Sequence, residues 1–238
     1  MGQVPGAVTP IGVVGSGRLA RHFLHYLQLL GIPACTWSRR EAQPDPVAAL
    51  AGCHTVLLLI RDDQIVPFIE AWPGLQRFRL VHCSGSLVTN AAEAAHPLMT
   101  FGLDLYEADI YRRMPFILEQ GRTAFDELLP GLPNPWFTIS RRDRPLYHAL
   151  CVLAGNGSTL LWQKLFAEFE RRLGLPPSAA QPFLMQITAN LVRDPANALT
   201  GPLSRGDLGT ISTNLSALEG DPFQAVYRSL ARTYEERS

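Results

Sequence analysis

The chain has 238 residues, 47% of them hydrophobic and 18% charged, and its 21 basic side chains are matched by 21 acidic ones. That length allows one large domain or two modest ones, with the composition of a soluble globular protein. Zero net charge argues against nucleic acid or an anionic membrane surface as the main partner, and no apolar run approaches the length of a membrane span.

Residues 1–9, with Gly2, Pro5 and Gly6, read as a loose leader. They lack the basic start and apolar centre of a signal peptide, so a cytoplasmic location is expected. Ile11–Val14 reads as a strand, Gly15-Ser16-Gly17 as a tight turn, and residues 18–30 as a helix. Leu19, Phe23, Tyr26, Leu27 and Leu30 recur there at helical spacing, and Gly31 ends the run. The turn fits the G-x-G-x-x-G/A dinucleotide fingerprint. Gly15 supplies the turn conformation, Gly17 lets a pyrophosphate approach the backbone, and Ala20 lets the helix pack close to the sheet. Free N–H groups at the helix start then face the phosphates. Gly12, Gly15, Ser16, Gly17, Arg18 and Leu19 are the first cofactor-binding candidates.

Residues 33–37 read as a second strand, buried in character. Its tip is Trp37-Ser38-Arg39-Arg40. A carboxylate for the 2′-hydroxyl of NAD is missing there, whereas a 2′-phosphate would find a hydroxyl and guanidinium groups. NADP is therefore expected, with NAD second; a solvated basic turn is the plainer alternative. Residues 55–60 form an apolar strand. At its end stand Arg61, a further cofactor candidate, and Asp62 or Asp63 as N-cap of a helix over 64–72. Residues 79–83 give another strand that turns out through Ser84 and Gly85, whose N–H and hydroxyl groups can face a ligand. His82 reads as a satisfied core histidine. Residues 91–95 read as a short helix, and His96-Pro97 starts an extended piece. Strands at 114–118 and 136–139 flank a helix at 122–129. This alternation means a mostly parallel, doubly wound sheet.

After residue 141 the pattern becomes helical: 145–173, interrupted at Gly155-Asn156-Gly157, then 182–192, 208–218 and 222–236, with Asp207 and Asp221 as caps. The fold class is therefore α/β, a doubly wound sheet over 10–141 followed by an all-α domain over 142–238. Cys35, Cys53, Cys83 and Cys151 are scattered without zinc spacing, so reduced thiols and no metal site are expected. Lys164 is the only lysine.

Gly15-Ser16-Gly17 ahead of a helical half resembles the 6-phosphogluconate-dehydrogenase-like superfamily, which includes β-hydroxyacid dehydrogenases and pyrroline-carboxylate reductase. Four segments look closer to one branch, the bacterial Rossmann-like proteins with a C-terminal domain of unknown function. They are residues 82–87, His96 to Phe101, Leu146-Tyr147-His148-Ala149 and Leu199 to Asp207. The resemblance implies an NAD(P)-binding Rossmann fold and homodimers packed through the helical domain, with no assigned substrate. β-Hydroxyacid dehydrogenases use a lysine with an asparagine one turn later. Here the long helix offers His148 and Asn156 ahead of Lys164, and Arg61 stands where proline is common in the branch.

The reading is an NADP-linked oxidoreductase acting on a small oxo, hydroxy or imino acid. His148 is the candidate general acid/base. Asn156 is a hydrogen-bond donor to substrate, although at ideal helical spacing it points about 80° away from His148. Arg205 would pair with a substrate carboxylate and Asp207 would orient it, unless the two form only a turn and a cap. A dinucleotide-binding or sensing protein without turnover is the second reading. An S-adenosylmethionine enzyme is a third, opposed by Arg39 and Arg40.

Overall fold

The computed structural model describes residues 9–40 and 45–236; the expected leader, but for Thr9, lies outside them. The chain forms two compact units, residues 1–159 and 160–238.

The first unit is built on a seven-stranded sheet: β1 (Ile11–Val14), β2 (Ala34–Trp37), β3 (Thr55–Leu58), β4 (Arg79–His82), β5 (Glu93–Pro97), β6 (Phe116–Glu119) and β7 (Trp136–Ile139). The order is β2-β1-β3-β4-β5-β6-β7. Every neighbouring pair is parallel except β5 and β6. Both faces of the central strands are covered, and period-two alternation sorts their side chains. Val13 and Leu57 enter one core with Phe23 and Leu27 of helix α1 (Arg18–Leu29). Val14, Val56 and Leu58 enter the opposite core, with Ile65 and Ile69. The short α2 (Pro46–Ala49) is capped by Asp45, whose side chain accepts from the Val47 N–H at 2.8 Å.

Two strand expectations change. β2 is not buried throughout: it is the sheet edge, and only Trp37 at its end is buried. Residues 91–95 are not a helix, because Glu93–Pro97 is β5, an interior strand. Its alanines favour a helix locally, yet small side chains suit the crowded middle of a sheet, and packing overrides the preference. Glu93 is held by Thr123, whose N–H and hydroxyl donate to its carboxylate at 3.2 and 2.7 Å.

Polar side chains fix the connections. Tyr26 donates to Asn134 at 2.7 Å, and Asn134 donates to the carbonyls of Tyr111 and Met114 at 2.7 and 2.9 Å. Burial raises the Tyr26 phenol to about 12. His22 Nε2 lies 3.0 Å from the Gly102 carbonyl, which can only accept. His22 Nδ1 therefore takes the Tyr111 hydroxyl proton at 2.7 Å. This pins the loop after Met99 to α1.

Helices α3 (Asp62–Ala71), α4 (Ala108–Arg112) and α5 (Phe125–Leu128) complete the layers of the first unit. Helix α6 (Arg144–Arg171) runs unbroken from the first unit into the second, so Gly155-Asn156-Gly157 does not interrupt it. A Cβ at Gly155 or Gly157 would meet nothing within 4 Å. The ladder hydrogen bonds simply outweigh the glycine cost of about 1 kcal/mol each.

The second unit holds the rest of α6, then α7 (Gln181–Arg193), α8 (Pro202–Arg205), α9 (Leu208–Ala217) and α10 (Phe223–Glu235). Lys164 bonds Glu168 at 3.0 Å and also Asp221, whose other oxygen accepts from the Phe223 N–H at 2.8 Å. Trp162 packs on Phe166 and Phe183.

Candidate functional site

The β1–α1 turn is a position only glycine fills well. Gly15 has φ +124°, and a Cβ there would lie 2.3 Å from the Leu59 carbonyl oxygen. That closeness follows from the sheet register: the Gly15 N–H donates to the Trp37 carbonyl, and the Leu59 N–H to that of Val14, at 2.9 and 2.8 Å. Gly17 is the N-cap of α1. No side chain caps it, and a Cβ there would meet nothing within 4 Å. The first N–H groups of α1 thus lie beside open space, where an anion is favoured by their partial positive charge. Ala20 is fully buried beneath.

Beyond this turn the carboxyl ends of β1, β2 and β3 frame a cavity of about 780 Å³. Its wall brings together Gly15, Ser16, Gly17, Arg18 and Leu19 with Ser38, Arg39, Arg40 and Arg61, as well as Trp37, Ile60 and Phe68. Among the described lining residues are four arginines and no carboxylate. Such a wall draws anions. Arg39 and Arg40 are exposed at the strand tip, and Ser38 beside them is buried. Arg18 is drawn toward the loop, Nη1 donating to the Phe101 carbonyl at 3.3 Å.

Other expected contacts have different surroundings. Gly12 does not line the cavity: a Cβ there would press on Val56 and Leu50 at 2.9 and 3.0 Å, so it is a packing glycine inside β1. Arg61 lines the cavity, but its guanidinium grips Asp63 through two bonds of 3.1 and 2.7 Å. Neither Asp62 nor Asp63 caps α3 as expected. The helix starts at Asp62, and Arg61 is its N-cap residue without a side-chain bond. Asp62 accepts instead from the Ser84 hydroxyl. Ser84 is buried, and its oxygen also accepts from the Leu87 N–H at 3.0 Å. Its hydroxyl is therefore committed to the turn.

Ser84 and Gly85 belong to a second cluster, at the carboxyl ends of β4 and β5. His148 lies directly over Gly85: a Cβ at that glycine would sit 2.2 Å from the His148 ring. His96 Nδ1 is 2.7 Å from the Tyr147 hydroxyl, and its ring stands 5.8 Å from that of His148, edge to face. Arg144, fully buried at the start of α6, donates through Nη2 to the Ser84 carbonyl at 2.6 Å and lies 4.0 Å from Glu119. His82 is fully buried as expected, but unsatisfied: neither ring nitrogen has a partner among the described residues. Burial, reinforced by Arg144 and His96, lowers its imidazole to about 3. Burial, followed by His148 and Arg144, lowers His96 to about 4. Burial also pulls the Arg144 guanidinium down, against the pull of Glu119.

Asn156 is exposed two turns after His148 on the unbroken helix, so the offset of about 80° stands. Arg205 and Asp207 belong to the second unit. There Gly206 turns through φ +64° between α8 and α9, and Asp207 caps α9 by accepting from the Thr210 N–H at 3.0 Å and its hydroxyl at 2.8 Å. Those bonds, with Arg205 nearby, lower the Asp207 carboxyl below its ordinary value. The sequence reading missed Arg144 and Tyr147 as site residues. The available signal was Glu119, a carboxylate closing an otherwise apolar buried strand, which requires a buried cation.

Among the described residues no group of three metal-ligating side chains comes together, and no helix is long and apolar enough to cross a membrane.

Residues 117–234 match the family described as a domain of unknown function (DUF2520). No curated protein matches the chain. Solved structures resemble it over nearly its whole length. A candidate NADP oxidoreductase from Bacteroides fragilis superposes with a TM-score of 0.76 at 19% identity, covering 96% of this chain and 98% of that one. An imine reductase from Streptomyces aurantiacus gives 0.66 at 16%, covering 95% and 93%. A reductive aminase from Aspergillus terreus, in complex with NADPH4, cyclohexanone and allyl amine, gives 0.62 at 15%, covering 97% and 93%. The chain is thus a Rossmann-like protein, on the fold shared with these reductases, whose C-terminal part carries a domain of unknown function.

Proposed function

We propose that the chain is an NADP-linked oxidoreductase that moves a hydride between the nicotinamide and a small oxo, hydroxy or imino compound. The observation that carries this is the cavity at the β1–α1 turn, with its glycine-only bend, its uncapped helix start and a wall whose described residues include four arginines and no carboxylate. A dinucleotide fits those features: α1 N–H groups and Gly17 meet the pyrophosphate, while Ser38, Arg39 and Arg40 meet a 2′-phosphate. The cofactor supplies the hydride. The chain orients the substrate and manages the proton, with His148 as general acid/base. Asn156 is a secondary donor. Arg205 is the candidate partner of a substrate carboxylate, while Asp207, both of whose oxygens accept from Thr210, serves as the cap of α9. The described structural relatives support the class, one of them being complexed with NADPH4, a ketone and an amine.

A homodimer is part of this reading. In the second unit Met185, Val192 and Leu208 are 71%, 83% and 66% exposed, more apolar surface than a lone helical unit should leave in water. The four cysteines are free, in keeping with a reducing, cytoplasmic setting.

Calorimetric titration with NADPH and NADH tests the cofactor premise. NADPH should bind at least tenfold more tightly, and Arg39→Ala combined with Arg40→Ala should remove most of that preference. Gly15→Ala should abolish binding of both. Failure of the wild type to bind either nucleotide rejects the proposal. Tight binding without turnover of any oxo or imino compound would favour a dinucleotide-sensing protein.

A further inference from the structure

We infer that His96, held in one tautomer by Tyr147, presents a neutral Nε2–H to the oxygen of a carbonyl substrate, so that this site takes an oxo group in preference to an iminium ion. The inference rests on the oxidoreductase reading and names the substrate class for it.

The Tyr147 hydroxyl and His96 Nδ1 are 2.7 Å apart, so one proton lies between them. Either the phenol donates to Nδ1, or Nδ1–H donates to the phenol. In the second case the phenol proton would need another acceptor: no other hydrogen bond of this hydroxyl to a described group is found, and the neighbouring candidate is the sulfur of Cys151, one turn further along α6. Sulfur is a weak acceptor and an imidazole nitrogen a strong one. The phenol therefore donates to Nδ1, and the His96 proton resides on Nε2.

That N–H is not among the side-chain atoms sealed inside the fold without a partner. No group among the described residues bonds Nε2, and the residue is only half-buried. It stands at the carboxyl end of β5, which runs parallel to β4 and so shares the sheet edge of the Gly15 turn. Ligands bind along that edge in open α/β sheets. His148, seated on Gly85, is the adjacent ring.

The charge is also settled. Both members of the pair are neutral near pH 7, since burial raises the Tyr147 phenol and lowers His96 to about 4. A neutral N–H polarises a carbonyl oxygen without giving up its proton. An iminium ion has no lone pair to accept this bond and would face the donor with an N–H of its own. It would also enter the positive field of Arg144, the same field that disfavours a protonated His96. In the reduction, the carbonyl carbon gains the hydride of the reduced nicotinamide and the π pair moves onto oxygen. His148, as the general acid, gives that oxygen one proton, while His96 keeps its own throughout.

The test is nitrogen-15 NMR of the histidine rings in the full chain with NADP+ present, His96 assigned by His96→Gln. Nδ1 of His96 should resonate as unprotonated and Nε2 as protonated. Tyr147→Phe should replace this single tautomer by an averaged signal. Pyruvate and cyclohexanone should shift the Nε2–H signal, and 1-pyrroline in its iminium form should shift it at least tenfold less at equal concentration. A protonated Nδ1, no response to any of the three probes, or a larger response to 1-pyrroline overturns the inference while NADPH binding stands. If calorimetry shows no NADPH binding, the oxidoreductase reading falls and this inference falls with it.

Discussion

In the sheet unit, Val13, Val56, Leu57, Phe116 and Phe125 are out of water altogether. In the helical unit, Ala180, Ile211 and Ala231 are the buried apolar side chains among the described residues, and Met185 and Val192 project into solvent. The first unit closes a core on each face of its sheet. It also buries polar groups, Arg144, Glu119 and His82, that only a rigid frame can hold. The second has good helices but few buried apolar side chains among the described residues, which is what the proposed homodimer would cover. A unit that is complete by itself can carry a charged, tightly specified site; one left open is suited to association.

The largest effect should come from the buried ions. Arg144→Met leaves Glu119 nearly buried, with Arg141 at 3.5 Å as its remaining cation, and frees the Ser84 carbonyl. A loss of about 3–5 kcal/mol is expected in denaturant unfolding. A loss under about 1 kcal/mol would mean that the sheet unit does not depend on its polar centre.

Acid should sharpen the contrast next. His82 titrates near 3 and His96 near 4 in the folded chain, both below the ordinary 6.5. Between those values the unfolded chain binds protons that the folded chain refuses. Stability is therefore complete above pH 6.5 and declines as pH falls, by roughly 1.4 kcal/mol per pH unit for each group, down to about 4 for His96 and about 3 for His82. His82→Leu removes one of the two groups and a buried polar ring without partners among the described residues. It should flatten the acid limb and raise stability at pH 7 by about 1 kcal/mol. An unchanged slope in urea unfolding between pH 4 and 6 would show that His82 is not kept neutral.

The smallest effect on folding should come from the open helices. Val192→Asp is expected to change unfolding of the sheet unit by less than about 0.5 kcal/mol. Sedimentation should nevertheless show the mass halved relative to the wild type, because the charge would sit in the proposed dimer contact. A wild type that sediments as a monomer at micromolar concentration would remove the homodimer from the reading.

The parts legible in the sequence were those fixed by near neighbours. Gly15 and Gly17 announce the turn because strand, bend and helix follow within ten residues. Asp207 announces a cap for the same reason, as the structure confirms through Thr210. β5 was misread because Ala91, Ala92, Ala94 and Ala95 have a strong local preference that a distant sheet overrules. Arg144 beside Pro145 looks like a helix start in water; its burial depends on Glu119 and Ser84, 25 and 60 residues away along the chain. His96 and Tyr147 meet across 51 residues, and no local spacing encodes that.

Trp37 closes β2, packs 5.3 Å from Phe68 and forms part of the cavity wall. An indole in that wall makes the cavity self-reporting. A reduced nicotinamide dinucleotide bound there absorbs where tryptophan emits, so its arrival should quench intrinsic fluorescence without any attached dye. Trp162 emits from the other unit, between Phe166 and Phe183. Replacing Trp37 by phenylalanine, with Trp72, Trp136 and Trp162 retained, should therefore remove the largest part of the quench and leave the emission of the other three indoles.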